Sequence, residues 1–263
     1  MKSMIKINLF FCFLAFSTVF ISCDDYDDED VVPETPTTQI GSIAIAQNSE
    51  FGQVITDNGG NMLYFFTKDV DGSSNCEGDC ESAWPVFYKK DLEAGNGLEA
   101  SDIAVIERPD GSKQNTYKGW PLYYFSGDQQ AGDINGDGAG KTWYVAKPDY
   151  KVMIASKEVA ADIQNYLVDD RGNTLYYFTQ DEGTTSNCEG GCLANWPAFS
   201  VNEKELPSFF NKDQFGITAG NDGTDQITFN GRPMYFFAND AKRGDFNGHT
   251  AGDVWFVNNI SFE

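Results

Sequence analysis

One histidine, His249, serves a chain of 263 residues, and 18 basic side chains stand against 40 acidic ones. Each scarcity removes a class of function. Without a second imidazole there is no conventional zinc site, and no Ser-His-Asp or Cys-His set assembles easily. A phosphate-cradling glycine loop with a lysine is also missing. A net charge of −22 leaves too few clustered Lys and Arg to displace the counterions of a phosphate backbone, so nucleic acid is not an expected partner. The same charge argues against adsorption to an anionic lipid surface by charge alone. It suits solubility and mutual repulsion instead.

Aromatics and glycine are abundant. With 21 Phe, 12 Tyr, 5 Trp and 26 Gly, the composition favours strands and tight turns over helices, and 41% hydrophobic residues are enough for a buried core. The length suits one large domain or two ordinary ones.

The N-terminus reads as an address and an anchor. Lys2 and Lys6 precede an apolar run from Ile7 to Ile21, the pattern of an export signal over residues 1–22. Phe20-Ile21-Ser22-Cys23 resembles a bacterial lipobox, which implies that Cys23 becomes the lipidated first residue, anchored durably in a membrane through its acyl chains. Phe20 and Ile21 depart from the usual Leu and small residue of that box. The block Asp24-Asp25-Tyr26-Asp27-Asp28-Glu29-Asp30 is similar to the surface-export signal of bacterial surface lipoproteins, and it also reads as a solvated tether. Residues 23–38, ending in a Pro- and Thr-rich stretch, are expected to form an acidic disordered spacer. Loss of residues 1–22 removes two Lys and no acid, leaving 16 basic against 40 acidic residues, or −24.

The body of the chain is a repeat. Residues 62–145 align without a gap on 174–257 at an offset of 112: Cys76 on Cys188, Cys80 on Cys192, Trp84 on Trp196, Trp143 on Trp255. So long an ungapped match signals duplicated units of one fold. A smaller echo lies inside each unit, where Tyr64-x-Phe66-x-x-Asp69 returns at Tyr123–Asp128, Tyr176–Asp181 and Tyr235–Asp240. In a strand, Tyr176 and Phe178 share one face while Leu175 and Tyr177 share the other. Both faces are apolar, so the strand is expected to be covered on both sides. Further strands are expected at Ser42–Ala46, Gln53–Thr56, Ile103–Glu107, Thr142–Ala146, Val152–Ala155, Gln226–Phe229 and Val254–Val257, separated by turns such as Asp57–Gly60, Pro109–Gly111 and Asp170–Asn173. Helix is expected only in short pieces, at Cys80–Ala83, Cys192–Asn195 and Lys157–Ile163. The resulting expectation is an all-β chain with two tandem homologous modules, sandwich- or barrel-like, at 39–149 and 150–263.

The Tyr-x4-Asp motif followed by Cys-x-Gly-x-Cys and Trp-Pro, doubled behind a lipobox, resembles the bacterial secreted-repeat lipoproteins with a Tyr-x4-Asp motif. The resemblance covers nearly all of residues 40–260. It implies an exported, lipid-anchored tandem repeat and leaves the biochemical role open.

Several constellations are candidates for chemistry. Cys-x3-Cys puts two sulfurs about one helical turn apart, within bridging range, and an oxidising envelope favours the local pairs Cys76–Cys80 and Cys188–Cys192. So small a ring removes little unfolded-state entropy, so its expected benefit is to fix the turn carrying Trp84 or Trp196. The alternative is a redox or copper site, which here lacks neighbouring histidine. Asp69, Asp128, Asp181 and Asp240 are expected to accept backbone N–H groups of the following turn rather than to act as catalytic carboxylates. Tyr64, Tyr123, Tyr176 and Tyr235 are expected in the core, although exposed aromatics stacking on a glycan are the alternative. Asp133, Asn135 and Asp137 match the opening of a calcium loop whose twelfth position is Tyr144 instead of a bidentate Glu, so a plain hairpin loop competes with calcium.

The leading expectation is a non-enzymatic envelope lipoprotein serving as a binding or structural module: its partners are the membrane through the anchor and an unknown envelope protein or glycan, with no required cofactor. The expected location is the cell envelope, lipid-anchored in the outer membrane, with the face of that membrane left open. The competing readings are a redox or metal-handling protein using calcium or copper, and a glycan-binding accessory. Function is expected in what differs between the copies, such as Asp137 against His249 and Trp120 against Arg232.

Overall fold

The first module begins with a hairpin of β1 (Ser42–Asn48) and β2 (Gly52–Asp57), because Asn48 ends one strand and its Oδ1 accepts the N–H groups of Glu50 and Phe51 in the turn. Then come β3 (Tyr64–Phe66), the one-turn helix α1 (Asp79–Ala83), β4 (Glu93–Ala94), β5 (Ile103–Glu107), β6 (Lys113–Tyr117), β7 (Trp120–Pro121) and β8 (Trp143–Val145). Apart from β4, whose equivalent positions lie outside the described residues, the second module repeats the order with β9 (Val152–Ala160), β10 (Ile163–Asp169), β11 (Tyr176–Phe178), α2 (Gly191–Asn195), β12 (Phe215–Ala219), β13 (Asp225–Phe229), β14 (Arg232–Pro233) and β15 (Trp255–Val257). These are the elements of a computed structural model that describes residues 41–161, 163–200, 210, 212–221 and 223–262. The export signal, Cys23 and the acidic tether lie outside the described residues.

The all-β expectation holds. The sheets are small: β2-β1-β4, β5-β6-β7 and β12-β13-β14 have three strands, and β3-β8, β9-β10 and β11-β15 have two. None of them closes into a barrel. The described residues form one compact unit in which the two modules pack together. The strand expected at Val152–Ala155 runs on to Ala160, over residues expected to be helical from Lys157. Pairing with β10, from Asp169↔Val152 to Ile163↔Ala160 with an irregularity near Asn165, fixes this backbone as extended. Tertiary pairing here overrides the helix propensity of Lys157, Glu158 and Ala160.

Turn chemistry repeats with the sequence. Asp57 Oδ1 accepts N–H groups from Gly59 at 2.8 Å and Asn61 at 2.9 Å, and Asp169 does the same for Arg171 at 2.9 Å and Asn173 at 2.8 Å. Gly60 and Gly172 supply the left-handed residue of these turns, at φ 80° and 82°.

Each module has a pseudo-twofold relation at its centre. Tyr64 of β3 and Tyr123 exchange both backbone bonds, N–H to O at 2.8 and 3.1 Å, as Tyr176 and Tyr235 do at 2.8 and 2.9 Å. The central strand is buried on both faces in the first module: Leu63, Tyr64, Phe65 and Phe66 are all core. In the second module Tyr177 is only half-buried, a departure from the expected two-sided cover. The guanidinium of Arg232, 4.7 Å from its ring centre, and the ring of Phe256 cover it instead.

The junction between modules uses unlike faces. Trp120, fully buried, donates its indole N–H to the carbonyl of Asp170 at 3.0 Å. Arg243 lies over the Trp120 ring at 4.9 Å and donates to the carbonyls of Val70 at 2.7 Å and Lys118 at 3.0 Å. Burial lowers the pKa of that guanidinium to about 10. Lys118 pairs with Asp170 at 2.6 Å, and Arg171 with Asp102 at 2.7 Å.

Candidate functional site

The motif tyrosines and aspartates find one another across the halves of each module. Tyr64 donates its phenol O–H to Asp128 at 2.7 Å, and Tyr123 donates to Asp69 at 2.6 Å. In the second module Tyr176 donates to Asp240 at 2.7 Å, and Tyr235 to Asp181 at 2.9 Å. The remaining oxygen of each carboxylate caps a turn, accepting the N–H of Asn75, Asn135, Asn187 or Asn247 at 2.8–2.9 Å. The expected turn-capping role is therefore present, and a tyrosine partner accompanies it. The pairing has a sequence signal: Tyr and Asp occur together in every copy of the half-repeat.

Burial sets the electrostatics. Asp69 has no exposed surface, and its hydrogen-bond partners are a phenol and amides, so desolvation pushes its carboxyl up to about 7. Asp181 and Asp240 are raised by the same cause, and the four phenols are raised by burial first and by their carboxylate partners second.

The tyrosines border a column of stacked rings. In the first module the order is Phe66, Trp143, Trp84, Phe125, with successive centroids 4.0, 3.9 and 4.4 Å apart. Tyr64 stands edge-on to Trp84 at 5.4 Å and Tyr123 edge-on to Trp143 at 5.0 Å. The second column, Phe178, Trp255, Trp196, Phe237, has spacings of 4.2, 3.9 and 4.3 Å. A Cβ at Gly136 would lie 2.7 Å from the Trp84 ring, and one at Gly248 2.7 Å from Trp196, which explains why glycine stands at both positions. The core assignment of the four tyrosines is thus accounted for by their surroundings.

Both cysteine pairs are closed as expected, Cys76 to Cys80 and Cys188 to Cys192. Trp84 N–H donates to the Cys80 carbonyl and Trp196 N–H to that of Cys192, both at 2.8 Å, so each bridged turn fixes the start of its Trp-Pro. The two modules hold this turn by different means. Buried Arg108 donates to the Cys76 carbonyl at 2.8 Å and to Glu81 at 3.1 Å, while Asn221 donates to the Cys188 carbonyl at 3.0 Å.

The loop considered for calcium is tied into its own backbone. Asp133 Oδ2 accepts N–H groups of Gln129 and Gln130, the N–H of Asn135 goes to Asp128, and Asp137 Oδ1 accepts the N–H of Val145 at 2.8 Å. Among the described residues no three His, Cys, Asp or Glu side chains gather as for a metal ion. His249 replaces Asp137 without changing the task, since its Nδ1 accepts the N–H of Val257 at 3.4 Å. Trp120 against Arg232 is likewise an architectural difference, because the first lies in the junction and the second at the surface. The two differences expected to carry function are both explained by structure.

A cleft of about 780 Å³ opens between Lys141 and Tyr144 of the first module and Phe229, Asn230 and Phe262 of the second. Lys141 Nζ lies 5.4 Å from the ring centre of Phe262 there. Among the described residues no helix is long and apolar enough to cross a membrane.

A protein family described as a secreted repeat of unknown function matches the chain four times, at residues 46–88, 104–147, 165–200 and 216–258, two matches in each module. Compared with curated proteins and with solved structures, the chain finds no match.

Proposed function

The chain belongs to this secreted-repeat family, and from that premise we propose that it is a lipid-anchored envelope protein whose two modules form a non-enzymatic binding or structural unit. The observation that carries this reading is the way the motif's reactive groups are used. Both oxygens of all four motif carboxylates accept hydrogen bonds, and both cysteine pairs are bridged. A side chain that caps a turn and anchors a tyrosine is poorly placed to attack a substrate as well. Cys23 carries the anchor, and the acidic residues after it hold the modules away from the lipid.

Growth with labelled palmitate tests the anchor. Label is expected in the wild-type chain and not in Cys23→Ser, which should leave the membrane fraction; a Cys23→Ser form still held by the membrane overturns it. Protease treatment of intact cells then reads whether the modules face outward. Thiol counting after mild reductant separates this reading from redox or copper handling. Four unreactive cysteines in the modules agree with it, whereas ready opening with copper uptake favours the other.

The cleft supports a second reading, a glycan-binding accessory. An aromatic ring beside amide and ammonium groups, as at Phe262, Asn230 and Lys141, suits a sugar ring and its hydroxyls. Glycan-array binding that is lost in Asn230→Ala and Phe262→Ala is the expected result, and an array without binding removes it.

A further inference from the structure

The indole pairs are packed unusually closely. Trp84 and Trp143 lie face to face at 3.9 Å with 2° between their planes, and Trp196 and Trp255 repeat both values. Aromatic pairs in proteins more often choose offset or edge-on contacts at about 4.5–7 Å, because face-to-face quadrupoles repel. At each end of each pair stands a tyrosine whose phenol already donates to a carboxylate. Packing alone does not call for that arrangement. Phenylalanine would fill the same space, and the turn N–H groups could be capped without burying Asp69 beside a phenol.

We propose that each module is a one-electron oxidation relay, in which the stacked indoles take up a hole and pass it to a carboxylate-bonded tyrosine. Parallel overlapping rings share positive charge, so the pair gives up an electron more readily than one indole does. A phenol gives up its electron at modest cost only if its proton leaves as well. Asp69 and Asp128 in the first module, and Asp181 and Asp240 in the second, are in place to accept that proton.

The oxidant belongs to the class of one-electron acceptors: an oxidising radical or a high-potential metal complex meeting the module from outside. In the first step one electron leaves the indole pair for the oxidant, which is reduced, and the pair becomes a radical cation. In the second step Tyr123 gives one electron to the pair, and its phenolic proton moves along the existing hydrogen bond to Asp69. The indoles return to their starting state. The products are a tyrosyl radical, a neutral aspartic acid and reduced oxidant, and the charges balance. Tyr64 and Asp128 offer the same step from the Trp84 end, over a ring separation of 5.4 Å. The Cys76 side chain lies in the same buried cluster as Trp84 and Trp143, so the relay draws oxidation away from the disulfide. It requires neither copper nor opening of the cysteine bridges, and it stands whether or not the anchored-display reading holds.

The experiment uses the whole chain, purified with its bridges intact, and photogenerated ruthenium(III) tris-bipyridine as the oxidant. Transient absorption follows the indole and tyrosyl radicals, and freeze-quenched electron paramagnetic resonance identifies them. In the wild type the indole signal is expected to decay in step with growth of the tyrosyl signal, more slowly in heavy water. The variant Tyr64→Phe/Tyr123→Phe/Tyr176→Phe/Tyr235→Phe keeps the rings and removes the hydroxyls. It should lose the coupled tyrosyl phase and retain the indole radical. Exposed Tyr88 reacts directly with oxidant, and its signal is recognised because it does not follow indole decay. If that variant fails to fold, Asp69→Asn/Asp128→Asn/Asp181→Asn/Asp240→Asn keeps the phenols, removes the proton acceptors and should also lose the coupled phase. Indole decay that is the same in the wild type and in whichever variant folds overturns the proposal, as does a wild type that yields no indole radical.

Discussion

The face that the first module turns towards the second can be set against the same face of the second module, which turns outward. Val70 and Trp120 are fully buried in the junction, while their counterparts 112 residues on, Glu182 and Arg232, are exposed. Lys118, paired with Asp170, becomes Asn230. On the opposite face Arg243, which reaches two carbonyls of the first module, has Ala131 as its counterpart. The junction is therefore made by a few substitutions on a shared scaffold, and the two outward faces carry polar or small residues in place of its anchors. Repeat arrays end in this way, because an uncapped contact face would stay exposed.

The largest effect that tests this comparison is at Trp120. Trp120→Ala should cost about 3–5 kcal/mol, the range for truncating a large buried aromatic. It also leaves the Asp170 carbonyl without its donor. Urea unfolding measures the loss, and a cost no greater than that of Arg232→Ala would break the comparison.

Asp69 gives the next contrast. Its folded pKa, pushed up to about 7 by burial, lies above the roughly 3.9 of an unfolded Asp. The folded state thus holds the proton more tightly. The stability from this group is fully present below the unfolded value and is lost as pH rises through about 7, a change on the order of 4 kcal/mol. Asp69→Asn should lack this part of the decline between acid and neutral pH. Parallel pH-stability curves for wild type and Asp69→Asn would falsify the assignment.

Gly136→Ala and Gly248→Ala should each cost about 1–3 kcal/mol through overpacking against an indole. Here the modules should agree, since the same ring lies at the same distance in both. Unequal costs would show that the two columns differ in their ability to yield. Arg232→Ala is the smallest change, about 0.5–1 kcal/mol for an exposed cation over a ring, read by the same unfolding experiment.

The repeat, the strands and the bridged turns were legible in the sequence because each has a local signature: a fixed offset, an aromatic run, an invariant Cys-x3-Cys spacing. Partners were not. Periodicity places Tyr64 on a face of its strand and does not say that Asp128 lies opposite, because that contact depends on how two half-repeats meet. Tyr177 shows the same gap, since alternation assigns its face and the neighbour that covers it comes from Arg232 and Phe256. Lys157–Ala160 misled through its local propensity, which pairing with β10 overrode. Arg243 has a sequence signal, since Lys242-Arg243 stands where the other copy has the uncharged Gln130-Ala131.

The crossed tyrosine–aspartate bonds have a consequence for assembly. Residue i of one half meets j of the other while j meets i, which is the contact rule of an isologous dimer. The two modules meet by unlike faces, the rule of a heterologous chain. A single half-repeat could close with a second copy of itself and be complete, whereas a single module placed beside its twin would leave a face open at each end.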